Sequence, residues 1–268
     1  MLKIISIEAR DLPDLWFQAV YNLLEHGRRF NIDKGSYAGQ TRLEYDYFIG
    51  HVKYPGHGSG TPEILPDIPP SIGLPNPVEF AYVYGGEGYS RSYVEYVMTS
   101  TRQPGESYTY GERLVKAPLN GNKLAWWEEN NDKIIDKRQV DGKIVYEEDH
   151  QLYLNQIEWI IDTYKQFGYR NNQMVLQVAE PSDVVLQDPP CLRQIDTRIQ
   201  DNTLYFFVEF RSWDLWGGLP ANLPAIQCMK EYMAESIGVK DGEMIVISKG
   251  LHLYGYAEDL AKMRMLKK

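Results

Sequence analysis

The residues of this sequence that are best suited to chemistry are one cysteine and an arginine-containing segment that follows it in the chain. Cys191 follows two prolines, and an Arg-Ser-Trp-Asp segment begins at Arg211. A cysteine thiolate is intrinsically a strong nucleophile, and a neighbouring guanidinium lowers the pKa of a thiol. Cys191 is therefore a candidate nucleophile. Arg211 is a candidate both for activating it and for binding an anion.

A second group of residues suits the recognition of a nucleotide. Gly218 and Asn222 belong to a Gly-Leu-Pro-Ala-Asn segment, and His252 and Tyr254 belong to a His-Leu-Tyr segment. A carboxamide has one donor side and one acceptor side, which complements the N3–H and O4 edge of uracil. Each residue alone also suits a structural role, because asparagine closes turns and histidine is common at strand ends.

In order and in spacing, these residues resemble the thymidylate synthase family. The resemblance is convincing from Gln156 onward, somewhat less than half of the chain. It implies a nucleophile, a phosphate site, a pterin contact, a pyrimidine site and a sugar contact. In that order the residues are Cys191; Arg211 and Ser212; Asp214; Gly218 and Asn222; and His252 and Tyr254.

The resemblance implies that Cys191 adds to C6 of a pyrimidine and makes C5 nucleophilic toward a one-carbon unit. The donor would be 5,10-methylenetetrahydrofolate or a related reduced pterin, with no metal. Tyr110, in a Tyr-Gly segment, takes the position of the residue that assists removal of the C5 proton. Glu95, on a predicted helix, is our candidate for the carboxylate that manages protons, and a helix-surface position is its alternative.

The phosphate ligands are only partly determined by the resemblance. A loop near residue 30 carries an arginine to the phosphate in the family, and Arg28, Arg29, Lys34 and Arg42 are all candidates. The family also forms a homodimer through a sheet face, and a pair of arginines reaches across it to the partner's phosphate. Arg170, followed by asparagine, retains at most one of that pair.

Three departures from the family bear on the reaction. Leu192 follows the cysteine where histidine is common, and Phe210 precedes the Arg-Ser pair where glutamine is common. Only residues 255–268 follow Tyr254, whereas most members continue and close a C-terminal tail over the cofactor. Such closure excludes water while hydride is transferred.

Three functions therefore stay open. The leading hypothesis is methylation of dUMP to dTMP. The second is 5-hydroxymethylation of dUMP, UMP, dCMP or CMP, in which water replaces the hydride step. Asn222 favours uracil, and the short C-terminal segment favours hydroxymethylation. The third is a nucleotide-binding protein without activity, against which the intact Cys191 argues.

Composition limits the class of protein. The 268 residues carry a net charge of −9 and are 43% hydrophobic, which predicts one soluble domain over residues 1–268 and disfavours a nucleic-acid polymer as partner. Two cysteines do not supply a structural zinc site. Neither a signal peptide nor a membrane-spanning run is recognised, so we expect a cytoplasmic protein that acts on a pyrimidine nucleoside monophosphate.

The pattern of strands and helices around these residues, together with the resemblance, predicts an α+β fold like that of thymidylate synthase. We expect a mixed β-sheet flanked by long helices. In the first half we expect a strand at 2–7, a helix from Asp11 to Gly27, a polar loop from Arg28 to Gly39, a strand at 43–54 and a helix at 90–98. A proline-rich loop at 55–77 and an insertion at 119–149 interrupt the pattern.

The second half predicts a helix at 153–167 and a strand at 174–178. A hairpin is expected at 195–210 around a Gln-Asp-Asn turn. A turn at 218–222 should lead into a helix at 224–237, followed by a turn at 241–243 and a strand at 244–248.

Overall fold

The computed structural model describes residues 1–33, 37–56, 92–119 and 144–267. Lys34, nearly all of the proline-rich loop predicted at 55–77 and most of the insertion predicted at 119–149 lie outside the described residues. A single domain over residues 1–268 therefore stays a prediction.

The described strands form three sheets. In chain order the strands are β1 (Ile4–Ala9), β2 (Arg28–Asn31), β3 (Thr41–Glu44), β4 (Tyr47–Val52), β5 (Ala117–Leu119), β6 (Val145–Glu148), β7 (Gln151–Leu154), β8 (Val175–Gln177), β9 (Leu192–Gln200), β10 (Thr203–Phe210), β11 (Trp213–Asp214), β12 (Lys240–Ser248) and β13 (Leu251–Tyr254). The largest sheet is mixed and has the order β1-β4-β12-β10-β9-β8. The smaller sheets have the orders β11-β13-β3-β2 and β5-β7-β6.

Helices lie against these sheets. In chain order they are α1 (Leu12–His26), α2 (Tyr93–Met98), α3 (Tyr110–Val115), α4 (Gln156–Phe167), α5 (Gly218–Ile237) and α6 (Gly255–Arg264), with a 3₁₀ helix at Pro181–Val185. The predicted start of α1 is confirmed, because the Asp11 carboxylate accepts the backbone N–H of Asp14. The predicted α+β class with a mixed sheet and flanking helices is confirmed as well.

The core lies between the six-stranded sheet and helices α1, α4 and α5. Strand β10 buries every second residue, from Leu204 to Phe210, and β12 follows the same alternation. Period-two burial on the strands meets apolar stripes on the helices, such as Leu15 and Leu23 on α1. One sheet face is therefore packed. The alternate residues on the other face stay partly exposed.

The predicted hairpin is confirmed as β9–β10. Asp201 and Asn202 form its turn with φ angles of 50° and 58°, a left-handed conformation that asparagine and aspartate tolerate best among residues with a side chain. At the other end Phe210 pairs with Leu192. The hairpin therefore brings the residue before β9 beside the residue after β10.

The single strand predicted at 43–54 is wrong. The chain forms β3 and β4 in two different sheets, separated by Tyr45 and Asp46. Tyr45 is buried and its hydroxyl donates to the carbonyl of Ala19, so the chain turns into the core between the two strands. Tyr45 therefore does not share a face with Tyr47 and Ile49. The loop predicted from Arg28 to Gly39 is likewise corrected, since its first part, Arg28–Asn31, pairs with β3 as β2.

Several predicted boundaries shift because a local contact overrides composition. Within the described residues, the helix predicted at 90–98 runs from Tyr93 to Met98 and is capped by Ser92. The predicted turn at 218–222 is the first part of α5. The predicted turn at 241–243 belongs to β12, where a Cβ on Gly242 would lie 2.6 Å from the Thr203 methyl carbon, so only glycine fits this close pairing.

A buried lysine on α5 faces the start of β12. The Lys230 side chain is 0% exposed, its ammonium donates to the carbonyl of Gly242, and it lies 3.2 Å from the Asp241 carboxylate. Burial lowers the pKa of Lys230 to about 8, although Asp241 opposes this shift. The unfolded chain keeps the proton up to the ordinary pKa of 10.5.

We therefore predict a pH-dependent contribution of Lys230 to stability. Between about pH 8 and 10.5 the unfolded state binds more protons than the folded state, so this contribution rises with pH, by about 1.4 kcal/mol per pH unit at most. In urea titrations, the unfolding free energy of the wild type minus that of Lys230→Met should increase with pH across this window. Lys240→Met, at an exposed lysine, is the control. A constant difference for Lys230→Met would contradict the prediction.

Candidate active site

The nucleophile candidate lies where the β9–β10 hairpin closes. Cys191 directly precedes β9, and its carbonyl accepts the backbone N–H of Arg211 at 2.8 Å. The thiol is largely buried, and Cys191 is a free cysteine. The antiparallel strands β9 and β10 thus bring Cys191 and Arg211 together although they are far apart in the sequence.

The Arg211 guanidinium holds the chain just before the cysteine. Its Nε donates to the carbonyl of Pro190 at 3.1 Å, and its Nη2 donates to the carbonyl of Pro189 at 2.5 Å. Nη2 also lies 3.4 Å from the carboxylate of Asp188. Arg211 is still partly exposed, so it can both orient Cys191 and face an incoming anion.

A second arginine, which the sequence did not single out, supports the same turn. Arg193 donates to the carbonyl of Pro190 at 3.2 Å and pairs with Asp183 at 3.1 Å. Asp183 is 1% exposed and also binds Arg113 at 3.0 Å. Arg193 stands two positions after Cys191 at the start of a strand, so period-two spacing was a signal that it shares the cysteine's side. No comparable signal pointed to Arg113.

Charges of both signs act on the Cys191 thiol. Burial is the largest influence and raises its pKa, because desolvation disfavours the thiolate. Arg211 and Arg193 lower this pKa, whereas Asp188 and Asp214 raise it further. The net direction is upward, so the free protein holds Cys191 mainly as a thiol at neutral pH.

Tyr110 lies beside the nucleophile, as the resemblance implied. Its hydroxyl accepts the backbone N–H of Leu192 at 3.3 Å. Thr109 caps α3 and so fixes where the ring enters the core. Burial raises the pKa of Tyr110 well above its ordinary value, with smaller contributions from Tyr93 and Cys191. The phenol is therefore neutral and can pass a proton only through a partner.

Asp214 accepts backbone hydrogen bonds at the start of the helix that carries the predicted pyrimidine site. Its carboxylate accepts the backbone N–H groups of Trp216, Gly217 and Gly218 at 3.0 to 3.2 Å. Burial raises the pKa of Asp214, and these three hydrogen bonds only partly oppose the shift. Gly218 is the first residue of α5, and a Cβ there would lie 3.2 Å from the Asp214 Cβ.

The Asn222 carboxamide is held at both ends. Its Oδ1 accepts the indole N–H of Trp213 at 2.8 Å, and its Nδ2 donates to the hydroxyl of Tyr93 at 2.5 Å. Tyr93 lies on α2, which packs against α5. Sequence reasoning missed both partners, since Trp213 stood inside the Arg-Ser-Trp-Asp segment without an assigned role.

His252 and Tyr254 lie on β13, which runs parallel to β11 and pairs His252 with Asp214. The Nδ1 of His252 lies 2.9 Å from the carbonyl of Gly250, which can only accept, so Nδ1 carries the proton and Nε2 is an acceptor. Burial lowers the pKa of His252 to about 4. Nε2 is buried without a hydrogen-bond partner among the described residues.

An aromatic stack adjoins this histidine. Tyr254 packs against Tyr37 with 4.2 Å between ring centroids, and Tyr256 lies 5.8 Å from Tyr254 on nearly parallel planes. The pKa of Tyr254 is raised, first by burial and then by the negative charge of Asp214. The stack therefore reaches from His252 toward the carboxylate of Asp214.

Two predicted site residues are not brought to Cys191 in the single chain. The Glu95 carboxylate accepts the backbone N–H of Ser92 at 2.9 Å, closing a capping box on α2 with an exposed side chain. Arg170 is exposed in the turn before β8. Since Val175 of β8 pairs with Asp196, well along β9 from Cys191, Arg170 lies beyond the far part of that strand.

The N-terminal basic candidates differ in position. Arg28 pairs with Asp46 at 3.1 Å and Arg29 with Glu258 at 2.8 Å, both with exposed guanidinium groups. Arg42 lies on β3 directly opposite Tyr254 of β13, and its positive charge contributes to the lowered pKa of His252. Ser212, partly exposed, lies in the bend between β10 and β11. Of the described basic candidates, Arg42 lies on the strand next to the predicted sugar site.

Two further properties concern the described residues alone. Within residues 1–33, 37–56, 92–119 and 144–267, no cluster of three or more histidine, cysteine, aspartate or glutamate side chains has the geometry of a metal site. In the same ranges, no helix combines the length and apolar character needed to cross a membrane.

Comparison with known proteins places these residues in a family context. A sequence model described as thymidylate synthase matches residues 109–268. A protein of Methanosarcina barkeri named "Putative thymidylate synthase" is 23% identical over 256 residues, covering 96% of this chain and 92% of its own. A protein of the same name from Methanothermobacter thermautotrophicus is 22% identical over 249 residues, covering 93% of each chain. One from Methanocaldococcus jannaschii is 24% identical over 212 residues, covering 76% and 90%.

The charges around Cys191 predict a measurable change in thiol reactivity. In a Cys228→Ala background, Asp188→Asn should shift the pH midpoint of Cys191 alkylation by iodoacetamide to lower pH, because Asp188 raises the thiol pKa. Asp201→Asn changes the net charge equally at the opposite end of the hairpin and is the matched control. An unchanged midpoint in Asp188→Asn, or equal shifts in both variants, would contradict this electrostatic account.

Proposed function

The chain belongs to the thymidylate synthase family, and we propose that it methylates dUMP to dTMP with 5,10-methylenetetrahydrofolate as one-carbon donor. It is an enzyme of this superfamily, whose members transfer a one-carbon unit to a pyrimidine. The observation that supports the proposal most directly is the position of Cys191. Two guanidinium groups hold the chain that precedes it, and the Tyr110 hydroxyl lies at the next residue.

In the proposed reaction the Cys191 thiol loses its proton to water and its sulfur forms a bond to C6 of the uracil ring; this bond breaks again after C5 has lost its proton. The electron pair of the C5–C6 double bond moves toward O4, which makes C5 nucleophilic. The substrate's anionic phosphate would replace Asp188 beside Arg211. When bound, methylenetetrahydrofolate supplies the carbon that C5 accepts and the hydride that completes the methyl group.

The base and sugar would be recognised by buried groups with defined hydrogen-bonding roles. Asn222 keeps one amide hydrogen and one oxygen lone pair beyond its contacts with Trp213 and Tyr93, which suits the O4 and N3–H of uracil. The unpaired Nε2 of His252 would accept a sugar hydroxyl hydrogen, with Tyr254 beside it. Because the pKa of His252 is about 4, this acceptor persists at neutral pH.

We assign the phosphate to Arg211, Ser212 and an N-terminal arginine. Among the described candidates we choose Arg42, because it lies opposite Tyr254 on the neighbouring strand. Gly218 would keep the approach to Asn222 open, since a Cβ at this position would lie 3.7 Å from the amide oxygen.

The residues around Asp214 fit a flat, polar heterocycle such as a pterin. The carboxylate is buried, its pKa is raised, and the nearly parallel rings of Tyr254 and Tyr256 offer flat surfaces nearby. We propose that Asp214 meets the pterin and that Tyr110 assists removal of the C5 proton through water. Glu95 stays our candidate for the carboxylate at the pyrimidine carbonyl, which requires its oxygen to leave the backbone N–H of Ser92.

We further propose that the chain acts as a homodimer in the cytoplasm. The outer face of the six-stranded sheet carries apolar side chains that are only partly buried in one chain, among them Ile49, Phe207, Ile245 and Ile247. A second copy would cover them. The two free cysteines suit a reducing compartment.

Replacing the nucleophile separates catalysis from binding. Cys191→Ser should lose at least about 10³-fold in turnover, since a hydroxyl is a much weaker nucleophile than a thiolate, while the affinity for dUMP changes little. Steady-state assays and calorimetry measure the two quantities, and Cys228→Ser is the matched control. Unchanged turnover in Cys191→Ser would refute the covalent mechanism.

The product identifies the reaction. Wild-type protein is incubated with methylenetetrahydrofolate and, separately, with dUMP, UMP, dCMP and CMP, and the nucleotides are analysed by mass spectrometry. A methylated dUMP supports the proposal. A 5-hydroxymethyl product would mean that water replaces the hydride step, and binding without any product would identify a nucleotide-binding protein without this activity.

Subunit mixing tests whether Arg170 acts in its partner's site. We expect Cys191→Ser and Arg170→Ala each to be impaired and their mixture to recover about one quarter of wild-type activity. Half of the dimers are then mixed, and in each of these one site combines an intact Cys191 with an intact Arg170. Full activity of Arg170→Ala alone would remove its role. Impaired single variants without recovery on mixing would place Arg170 outside the partner's site.

A further inference from the structure

The orientation of the Asn222 amide is fixed by a neighbour that can only donate. An indole nitrogen has one N–H and no acceptor, so the Asn222 atom 2.8 Å from the Trp213 Nε1 must be the oxygen. The Tyr93 hydroxyl at the other end both donates and accepts, and it therefore adapts to whichever atom it meets. Of the two partners, Trp213 alone decides which way the amide points.

The indole is itself held rigidly. The Trp213 backbone belongs to β11, and its N–H donates to the carbonyl of Gly250. Its ring stacks on Phe210 with 4.1 Å between centroids and 5° between planes, and both side chains are buried. Phe210 occupies the position that we singled out in the sequence as a departure, immediately before the Arg-Ser pair.

The amide is held with equal firmness from the other side. Asn222 lies on the second turn of α5, and the N–H of Gly218, the first residue of this helix, donates to the Asp214 carboxylate. Neither the donor nor the acceptor can move away without breaking backbone contacts. A flip of the amide would set the Nδ2 hydrogens against the indole N–H and leave two buried donors facing each other.

We infer that Trp213 is a specificity-determining residue, which makes the site read uracil and reject cytosine by holding the Asn222 amide in one orientation. This inference rests on the proposed function. Uracil presents a donor at N3 and an acceptor at O4, whereas cytosine presents an acceptor at N3 and a donor at its amino group. Cytosine needs the flipped amide, which the Trp213 N–H opposes. Trp213 acts through Asn222 and is a positioning residue.

The test compares base preference in variants that lose one indole donor. Trp213→Phe removes the N–H and keeps a ring against Phe210. Trp16→Phe is the matched control, because its indole is also buried and donates over 2.8 Å, but to the carbonyl of Leu215. Dissociation constants of dUMP and dCMP, with UMP and CMP in parallel, are measured by calorimetry on the full chain.

In wild type and in Trp16→Phe, uracil nucleotides should bind more tightly than cytosine nucleotides. In Trp213→Phe this preference should fall by a factor of about 5 to 150, the range for one buried donor left opposed. The ratio of the two dissociation constants is the decisive readout, since general damage to the fold weakens both nucleotides alike.

The outcomes separate this inference from the proposed function. A preference for uracil that survives in Trp213→Phe overturns the role of Trp213 and leaves the function standing. A preference of the wild-type protein for cytosine nucleotides would also overturn the role of Trp213. If wild type binds none of the four nucleotides, the proposed function fails and this inference fails with it.

A measurement on wild type covers the case in which Trp213→Phe does not fold. The indole N–H resonance of Trp213 should exchange slowly with solvent in the free protein and stay protected when dUMP binds. Loss of that protection on binding dUMP would show that the indole releases Asn222, and would overturn the inference.

Discussion

The hydrogen bonds from the start of α5 to the Asp214 carboxylate are the contacts on which the rest of the site depends. A carboxylate near a helix N-terminus satisfies N–H groups that have no partner inside the helix, as Asp214 does for Gly218. Here it also fixes geometry, because β11 carries Asp214 and pairs with β13. One side chain thereby sets the distance between Asn222 on the helix and His252 on the strand. Burial raises the pKa of Asp214, and its three hydrogen bonds only partly oppose this shift.

The positive and negative charges around Cys191 differ in their exposure to solvent. Arg211 and Arg193 reach the carbonyls before Cys191, whereas Asp188 stands 79% exposed at the mouth. An exposed carboxylate is screened by water and is readily displaced by a more highly charged anion. The arrangement therefore keeps the thiol protonated in the free protein.

The polar groups of the pocket are mutually constrained before any ligand arrives. Trp213 and Tyr93 hold both ends of the Asn222 amide, and Gly250 fixes the tautomer of His252. Such preorganisation means that little reorientation opposes binding. It also means that a ligand whose donors and acceptors do not match leaves a buried group unpaired, which is costly. Under the proposed function, selectivity depends on the residues that hold Asn222 and His252 as well as on these two residues themselves.

The sequence by itself determined the β9–β10 hairpin and the start of α1, because each rests on a local pattern: a Gln-Asp-Asn turn between two strands and an N-cap. Its resemblance to the thymidylate synthase family pointed to Cys191, Arg211, Asp214, Asn222 and His252 as one group. The tertiary structure determined the contacts between residues that are far apart in the sequence. Tyr93 meets Asn222, and Arg113 meets Asp183, across intervening segments of 129 and 70 positions. Strand pairing sets Arg42 apart from Arg28 and Arg29. The Glu95 carboxylate binds a backbone N–H at the start of α2, and α5 begins four residues after Asp214. In both places hydrogen bonds to backbone N–H groups compete with the roles that side-chain chemistry alone suggests.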